Sequence, residues 1–467
     1  MRSTLLVLLI LLLVCGAGPA SAATPAVVRP NVIVVLVDDL GWKDLACQGS
    51  EVHETPTIDR LAASGMRFTN AYSACTVCSP SRAALMTGLY PARLHLTDWI
   101  PGHERLKATL RIPEWRRELP LEAVTVAERL KAAGYATASI GKWHLGDKDH
   151  APDAQGFDVN VGGTDRGQPP SYHAPYRIPT LPEGARGEYL TDREAMEAQQ
   201  FIRANRQEPF FLYLAHHAVH APIEGKKIAA AKYRIKGAGM DERHANYAAM
   251  IESVDDALGK ILAELDTASI SDRTLVVFTS DNGGVATLAD NTPLRAGKGS
   301  AYEGGVRVPL IVSWPGVVKA GSTSDVPVIT CDIPATILDV TGVGGDPARP
   351  LDGVSLASVL RGGTLDRDAL YWHYPHYHPG GATPHSVIRA GSLRLIHFYE
   401  DGHDELYDLA KDPGERSNLA TDRAADTEAL RAKLDAWLAD VGAQFPTRKE
   451  AGGVPLPPEP TPSAATP

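Results

Sequence analysis

The sequence predicts an α/β fold, in which a buried parallel sheet flanked by helices is followed by a smaller C-terminal antiparallel sheet with one helix. Three observations predict it. Residues 31–37, 209–214 and 274–279 are continuous apolar runs rich in β-branched and aromatic side chains, the pattern of strands covered on both faces. Helical patterns lie between them: a Pro-started, Gly-stopped segment over 55–65, an amphipathic stretch over 121–133, and residues 246–265, where Met250, Val254, Leu258, Ile261 and Leu265 recur at helical spacing. Beyond about Gly362 the texture changes. Short strand-like runs at 386–389 and 393–399 precede a helical stretch over 427–438.

At the N-terminus, Met1-Arg2, an apolar run over 5–14 and Ala20-Ser21-Ala22 read as a secretory signal peptide spanning 1–22. A membrane anchor needs about 20 apolar residues, and this run stops at Gly16. Lipid attachment at Cys15 is disfavoured because Val14 is not a small residue. No later stretch is long and apolar enough to span a bilayer, so the expected product is exported, periplasmic or extracellular, with no integral membrane segment after cleavage. The expected plan is a catalytic domain over 23–362, a C-terminal subdomain over 363–447 and a disordered Pro- and Ala-rich tail over 448–467. The net charge of −10 argues against nucleic-acid binding and requires a local positive site for any anionic substrate. Cys47, Cys75, Cys78 and Cys331 are too few for a disulfide scaffold, and a Cys47–Cys75 pair stays open.

The strand ends carry the chemistry. The first run closes on Asp38-Asp39 and the third on Ser280-Asp281-Asn282. Adjacent enclosed carboxylates need a neutralising partner, and hard oxygen ligands suit Ca²⁺ or Mg²⁺. Lys142 and His144, two apart after a short strand, point the same way in extended chain. His216, His217 and His220 have H-H-x-x-H spacing with no further ligand nearby, which does not make a zinc site. The glycine-dense segment 293–309 lacks the Walker spacing of a phosphate loop. The aromatic and histidine cluster over 371–378 reads equally as domain-junction packing or as sugar recognition.

Cys78-Ser79-Pro80-Ser81-Arg82, running on to Leu85-Met86-Thr87-Gly88, resembles the signature of the type I sulfatases, and Gly141-Lys142-Trp143-His144-Leu145-Gly146 resembles their second signature. The family's motifs follow in order from Asn31 to about Leu419. The resemblance implies the alkaline phosphatase superfamily fold, with a mixed, largely parallel central sheet. It implies that a formylglycine-generating enzyme converts Cys78 to formylglycine (3-oxoalanine). It further implies that Asp38, Asp39, Asp281, Asn282 and residue 78 hold Ca²⁺ or Mg²⁺. Arg82 and Lys142 would hold residue 78, and Lys142, His220 and Lys298 would neutralise the sulfate. His220, with Lys298 as runner-up, would protonate the leaving alcohol, and His144 would take a proton from residue 78. Tyr90–Trp99 resembles a branch of polysaccharide-desulfating enzymes, so the expected substrate is a sulfated carbohydrate, touched by His373, His376 and Arg389. Two alternatives remain open at this point: a formylglycine-dependent phosphate or phosphonate monoester hydrolase, and a catalytically silent glycan-binding protein.

Overall fold

The computed structural model describes residues 29–103, 105, 107–237, 240–345 and 350–449. The expected signal peptide lies outside the described residues, as does most of the expected tail. The tail's expected start at 448 falls within a short strand, Thr447–Arg448, which pairs antiparallel with Leu110–Arg111.

The central sheet has eight strands: β1 (Asn31–Val37), β2 (Met66–Phe68), β3 (Ala136–Gly141), β4 (Val159–Val161), β5 (Phe210–His216), β6 (Thr274–Ser280), β7 (Leu310–Ser313) and β8 (Ser322–Ser324). Their order is β8-β2-β7-β6-β1-β5-β3-β4. Within this sheet only β7 runs against its neighbours, so the sheet is mixed and largely parallel. Register matters most at its centre. Val37 stands opposite both His216 and Ser280, so β1, β5 and β6 end level. The residues that follow them are delivered to one edge, where open α/β sheets form their sites.

The alternation of side chains along these strands builds two cores. Ile33, Val35 and Val37 pack on one face with Ile58 and Leu61 of α1 (Pro56–Ser64), Ile202 of α4 (Leu190–Ala204), and Met250, Leu258 and Leu265 of α5 (Glu242–Thr267). Val32, Val34 and Leu36 pack on the other with Leu85 of α2 (Cys78–Thr87), Leu130 of α3 (Val126–Ala132), and Ile333 and Ile337 of α6 (Asp332–Val340). Each such side chain, fully buried, contributes about 1.5–3 kcal/mol. Helix α3 begins later than expected, because Thr125 and Glu128 form a reciprocal capping box that fixes its first turn. Helix α5 extends beyond 246–265 at both ends, and Asp241 caps it by accepting from His244 N.

The C-terminal sheet is antiparallel, in the order β9 (Leu370–Tyr374), β10 (His385–Ala390), β11 (Leu393–Phe398) and β12 (Asp404–Asp408). Ile388, Leu395 and Leu406 face Leu430, Leu434 and Leu438 of α7 (Ala424–Asp440). Trp372, Val387, Ile396 and Tyr407 face Tyr72, Tyr90 and Ile329 of the central part. The sheet is therefore buried on both sides and forms a seam with the larger domain. Cys47, Cys75, Cys78 and Cys331 are all free thiols, so the open Cys47–Cys75 pairing is not formed.

Candidate active site

Asp38 and Asp39 leave the end of β1, and Asp281 and Asn282 leave the end of β6, all four buried. Asp39 N donates to Asp281 Oδ1 at 3.2 Å, and Asn282 Nδ2 donates to Asp39 Oδ1 at 2.8 Å. Burial, reinforced by the nearby Asp38, pushes the Asp281 carboxyl up to about 6. Asp38 Oδ1 and Asn282 Oδ1 are buried acceptors with no hydrogen-bond partner. Orphaned oxygens at the meeting of three carboxylates are what a hard cation takes up, so these residues fit Ca²⁺ or Mg²⁺. Asp38, Asp39 and His220 also bring ligand atoms within 4.8 Å of one another.

Three cations enclose this acid cluster. Arg82, one turn into α2, is fully buried; it pairs with Asp281 at 2.8 Å and donates to Lys142 O at 2.9 Å. Lys142 Nζ reaches Asp38 Oδ2 at 2.5 Å. It emerges after Gly141, whose φ of +96° and approach to Ala215 O leave no room for a side chain. Lys298 Nζ lies 2.7 Å from Asp39 Oδ1. Burial opposes the charge on Lys298, but Asp39 outweighs it and holds the ammonium above its ordinary range.

Cys78 opens α2, with its Sγ 3.4 Å from His144 Nδ1. Burial pushes the Cys78 thiol up. His144 Nε2–H donates to Ile100 O at 2.5 Å, which leaves Nδ1 as the acceptor facing residue 78. Burial, and then Lys142, hold His144 well below its usual range, so the ring is neutral. His220 stands with Nε2 3.7 Å from Asp39 Oδ2, and burial holds it down to about 3. Its loop is held by the Tyr172 hydroxyl, which donates to both His217 O and His220 O.

These groups floor a cleft of about 1180 Å³. Cys78, Asp39, His144, His220 and Lys298 line its base; Trp99, Arg166, Arg243 and His378 line its walls. The expected catalytic and metal-ligating set is therefore brought together. The expected sugar contacts are not. His373 is buried, with Nδ1 2.7 Å from Ser386 Oγ and Nε2 donating to Gln444 O at 2.8 Å. His376 is fully buried against Thr97 and Trp115. Arg389 is buried over the Tyr72 ring and donates to its hydroxyl. None of the three lines the cleft, because the C-terminal sheet that carries or adjoins them is covered on both faces. Only the end of the cluster, His378, reaches the cleft wall, seated on Gly299, where a Cβ would lie 1.7 Å from its Nδ1. The Ile100 carbonyl carries no side-chain signal, and Glu194, which bridges His216 and His217 at 2.6 and 2.7 Å, stands far away in sequence; both were invisible before folding.

Comparison with known proteins agrees with this geometry. The family model described as Sulfatase matches residues 30–343, and that of the N-sulphoglucosamine sulphohydrolase C-terminal region matches 297–444. Human arylsulfatase A is 33% identical, over 89% of this chain and 90% of its own. Human N-acetylgalactosamine-6-sulfatase is 33% identical, over 89% of this chain and 85% of its own. A crystal structure of Ps i-CgsB in complex with k-i-k-neocarrahexaose superposes with a TM-score of 0.77 at 30% identity, covering 88% of this chain and 93% of that one.

Proposed function

Because the chain belongs to the sulfatase family, we propose that it is an exported enzyme that hydrolyses sulfate monoesters on a carbohydrate, with residue 78 converted to formylglycine. The observation that carries this reading is the 3.4 Å approach of Cys78 Sγ to the acceptor nitrogen of His144, in the cleft that Asp39 and Lys298 also line. Asp38, Asp39, Asp281 and Asn282 would hold the cation. When present, the formylglycine and the cation supply an ionisable hydroxyl as nucleophile and a Lewis acid for the sulfate oxygens.

The chain's own residues do the rest. Lys142 and Lys298 neutralise the sulfate oxygens as charge shifts onto them. Lys298, paired with Asp39, serves as a cation for the sulfate and is the second candidate for the acid. His220 is neutral in the free cleft, where its pKa is about 3. His220, beside Asp39 at the base of the cleft, is the group placed to protonate the leaving alcohol. His144, neutral and with Nδ1 free, accepts a proton from residue 78 during turnover. Arg82 anchors the floor through Asp281 and the Lys142 carbonyl.

The carbohydrate class is supported by the cleft and by two relatives. Its volume of about 1180 Å³ exceeds what one sulfate and one aryl ring fill. Trp99 offers an aromatic face, and Arg166 and Arg243 offer guanidinium groups to an anionic saccharide. One relative is named N-acetylgalactosamine-6-sulfatase, and one solved neighbour is in complex with k-i-k-neocarrahexaose. The test is sulfate release from sulfated mono- and oligosaccharides and an aryl sulfate, using protein co-produced with a formylglycine-generating enzyme. Release that disappears in Cys78→Ala is expected. No release from any member despite confirmed aldehyde at residue 78 would favour a phosphoester hydrolase or a binding protein.

A further inference from the structure

The chain that leads into the cleft at Trp99 is tied to the C-terminal sheet by buried polar side chains. Thr97 Oγ1 lies 2.8 Å from His376 Nε2. Asp98 Oδ1 accepts from the Tyr374 hydroxyl at 2.7 Å and from Trp99 N at 2.9 Å. Asp98 and His376 are both fully buried. Asp98 Oδ2 and His376 Nδ1 have no hydrogen-bond partner and stand 3.9 Å apart. Two residues further on, Ile100 N donates to Ser79 Oγ at 3.2 Å, and Ile100 O receives the Nε2–H of His144 at 2.5 Å.

Stability alone does not account for this arrangement. A buried polar pair without full hydrogen bonding costs free energy, and apolar side chains of similar volume pack such a seam at least as well. What polar groups provide that apolar ones do not is a fixed register. Here the register fixed is that of residues 97–100, and the atom it delivers is the Ile100 carbonyl. That carbonyl in turn decides which imidazole nitrogen of His144 carries hydrogen.

We infer that Asp98, Tyr374 and His376 are positioning residues that act on His144 through the Ile100 carbonyl, so that the C-terminal sheet sets the tautomer and aim of the proton acceptor beside residue 78. Loss of the anchor lets the carbonyl drift. His144 then turns, or takes its hydrogen on Nδ1, and no longer accepts from residue 78. The inference rests on the role proposed above for His144. It assigns work in the reaction to side chains that never touch the substrate.

The test is a double-mutant cycle on the full-length, formylglycine-bearing enzyme. A small aryl sulfate serves as substrate, so that the cleft walls do not enter. Tyr374→Phe removes one hydroxyl and keeps the ring. Its expected effect is a fall in kcat of about 10- to 100-fold, the scale of a misplaced catalytic group, with KM unchanged within about twofold by the same reasoning. His144→Gln alone is expected to cost about 10²- to 10⁴-fold. In the His144→Gln background, Tyr374→Phe is expected to cost nothing further, because the group it positions is gone. Asp98→Asn, which keeps the shape, should behave alike, and His376→Gln should retain more kcat than His376→Ala. Equal losses in both backgrounds, or a Tyr374→Phe enzyme with unchanged kcat, would overturn the inference while leaving the sulfatase reading intact. A fully active His144→Gln enzyme would instead overturn the role of His144 and the inference with it.

Discussion

Two regions of this molecule crowd titratable side chains together, the floor of the cleft and the seam between the central domain and the C-terminal sheet, and they treat those side chains in opposite ways. On the floor, Asp38, Asp39 and Asp281 face Arg82, Lys142 and Lys298, yet Asp38 Oδ1 and Asn282 Oδ1 still lack donors and the base of the cleft stays open. In the seam, Arg394 is fully buried between Glu303 and Glu415, Arg389 is fastened to Tyr72, and His373 uses both ring nitrogens on the protein. Both regions are rich in charge and imidazole. Both keep a few buried polar atoms unpaired, Asp38 Oδ1 and Asn282 Oδ1 on the floor and Asp98 Oδ2 and His376 Nδ1 in the seam, but the floor is the one that opens into the cleft. A cluster of titratable residues is thus a candidate site when its unpaired atoms stand at an open cleft, and a fastening when they are enclosed.

The sharpest way to break that comparison is at residue 78. Cys78→Ala should lower sulfate release by about 10⁶-fold, as loss of a nucleophile does, while the urea midpoint of unfolding stays near that of the parent. A next step is Lys298→Ala, read by kcat on an aryl sulfate. Loss of a preorganised cation is expected to cost about 10²–10³-fold; a loss under threefold would remove Lys298 from the sulfate.

Seam residues that do not hold residues 97–100 in place should answer in stability and not in rate. Arg389→Met deletes the charged donor to Tyr72 and should cost about 2 kcal/mol in denaturant unfolding, with kcat/KM on a sulfated sugar nearly unchanged. A large rise in KM would return Arg389 to the substrate. An effect of similar size concerns pH. Burial holds the His373 imidazole down at about 4, below its ordinary 6.5. The unfolded chain therefore takes up its proton first as pH falls. The contribution of a neutral His373 is full above about 6.5 and is lost between 6.5 and 4. Lowering the pH from 7 to 5 should cost about 2 kcal/mol at this position, and His373→Asn should flatten that part of the stability profile.

Much of the floor was legible in the sequence because its residues sit at strand ends and in compact motifs. Asp38-Asp39 announces itself as a carboxylate pair and Asp281-Asn282 as a carboxylate–amide pair, each closing an apolar run. Cys78 with Arg82, and Lys142 with His144, keep a spacing that local geometry converts directly into a shared direction. The seam misled for the same reason: His373, His376 and Arg389 have the composition of a sugar site, and composition does not say which face of a strand is covered. The helix expected from 121 actually starts at Val126 because the Thr125–Glu128 capping box outweighs the weaker apolar periodicity before it.

By itself, then, the sequence determined the α/β class, the strand ends, the acid pairs and the candidate nucleophile, since each of these is a property of neighbours along the chain. Tertiary structure alone decided the register that makes β1, β5 and β6 end level, the burial of the C-terminal sheet on both faces, the seating of His378 on Gly299, and the Ile100 carbonyl that aims His144. Those depend on atoms from distant segments meeting at contact distance, and on backbone groups that every residue carries alike. Only packing gives such a group its distinct role.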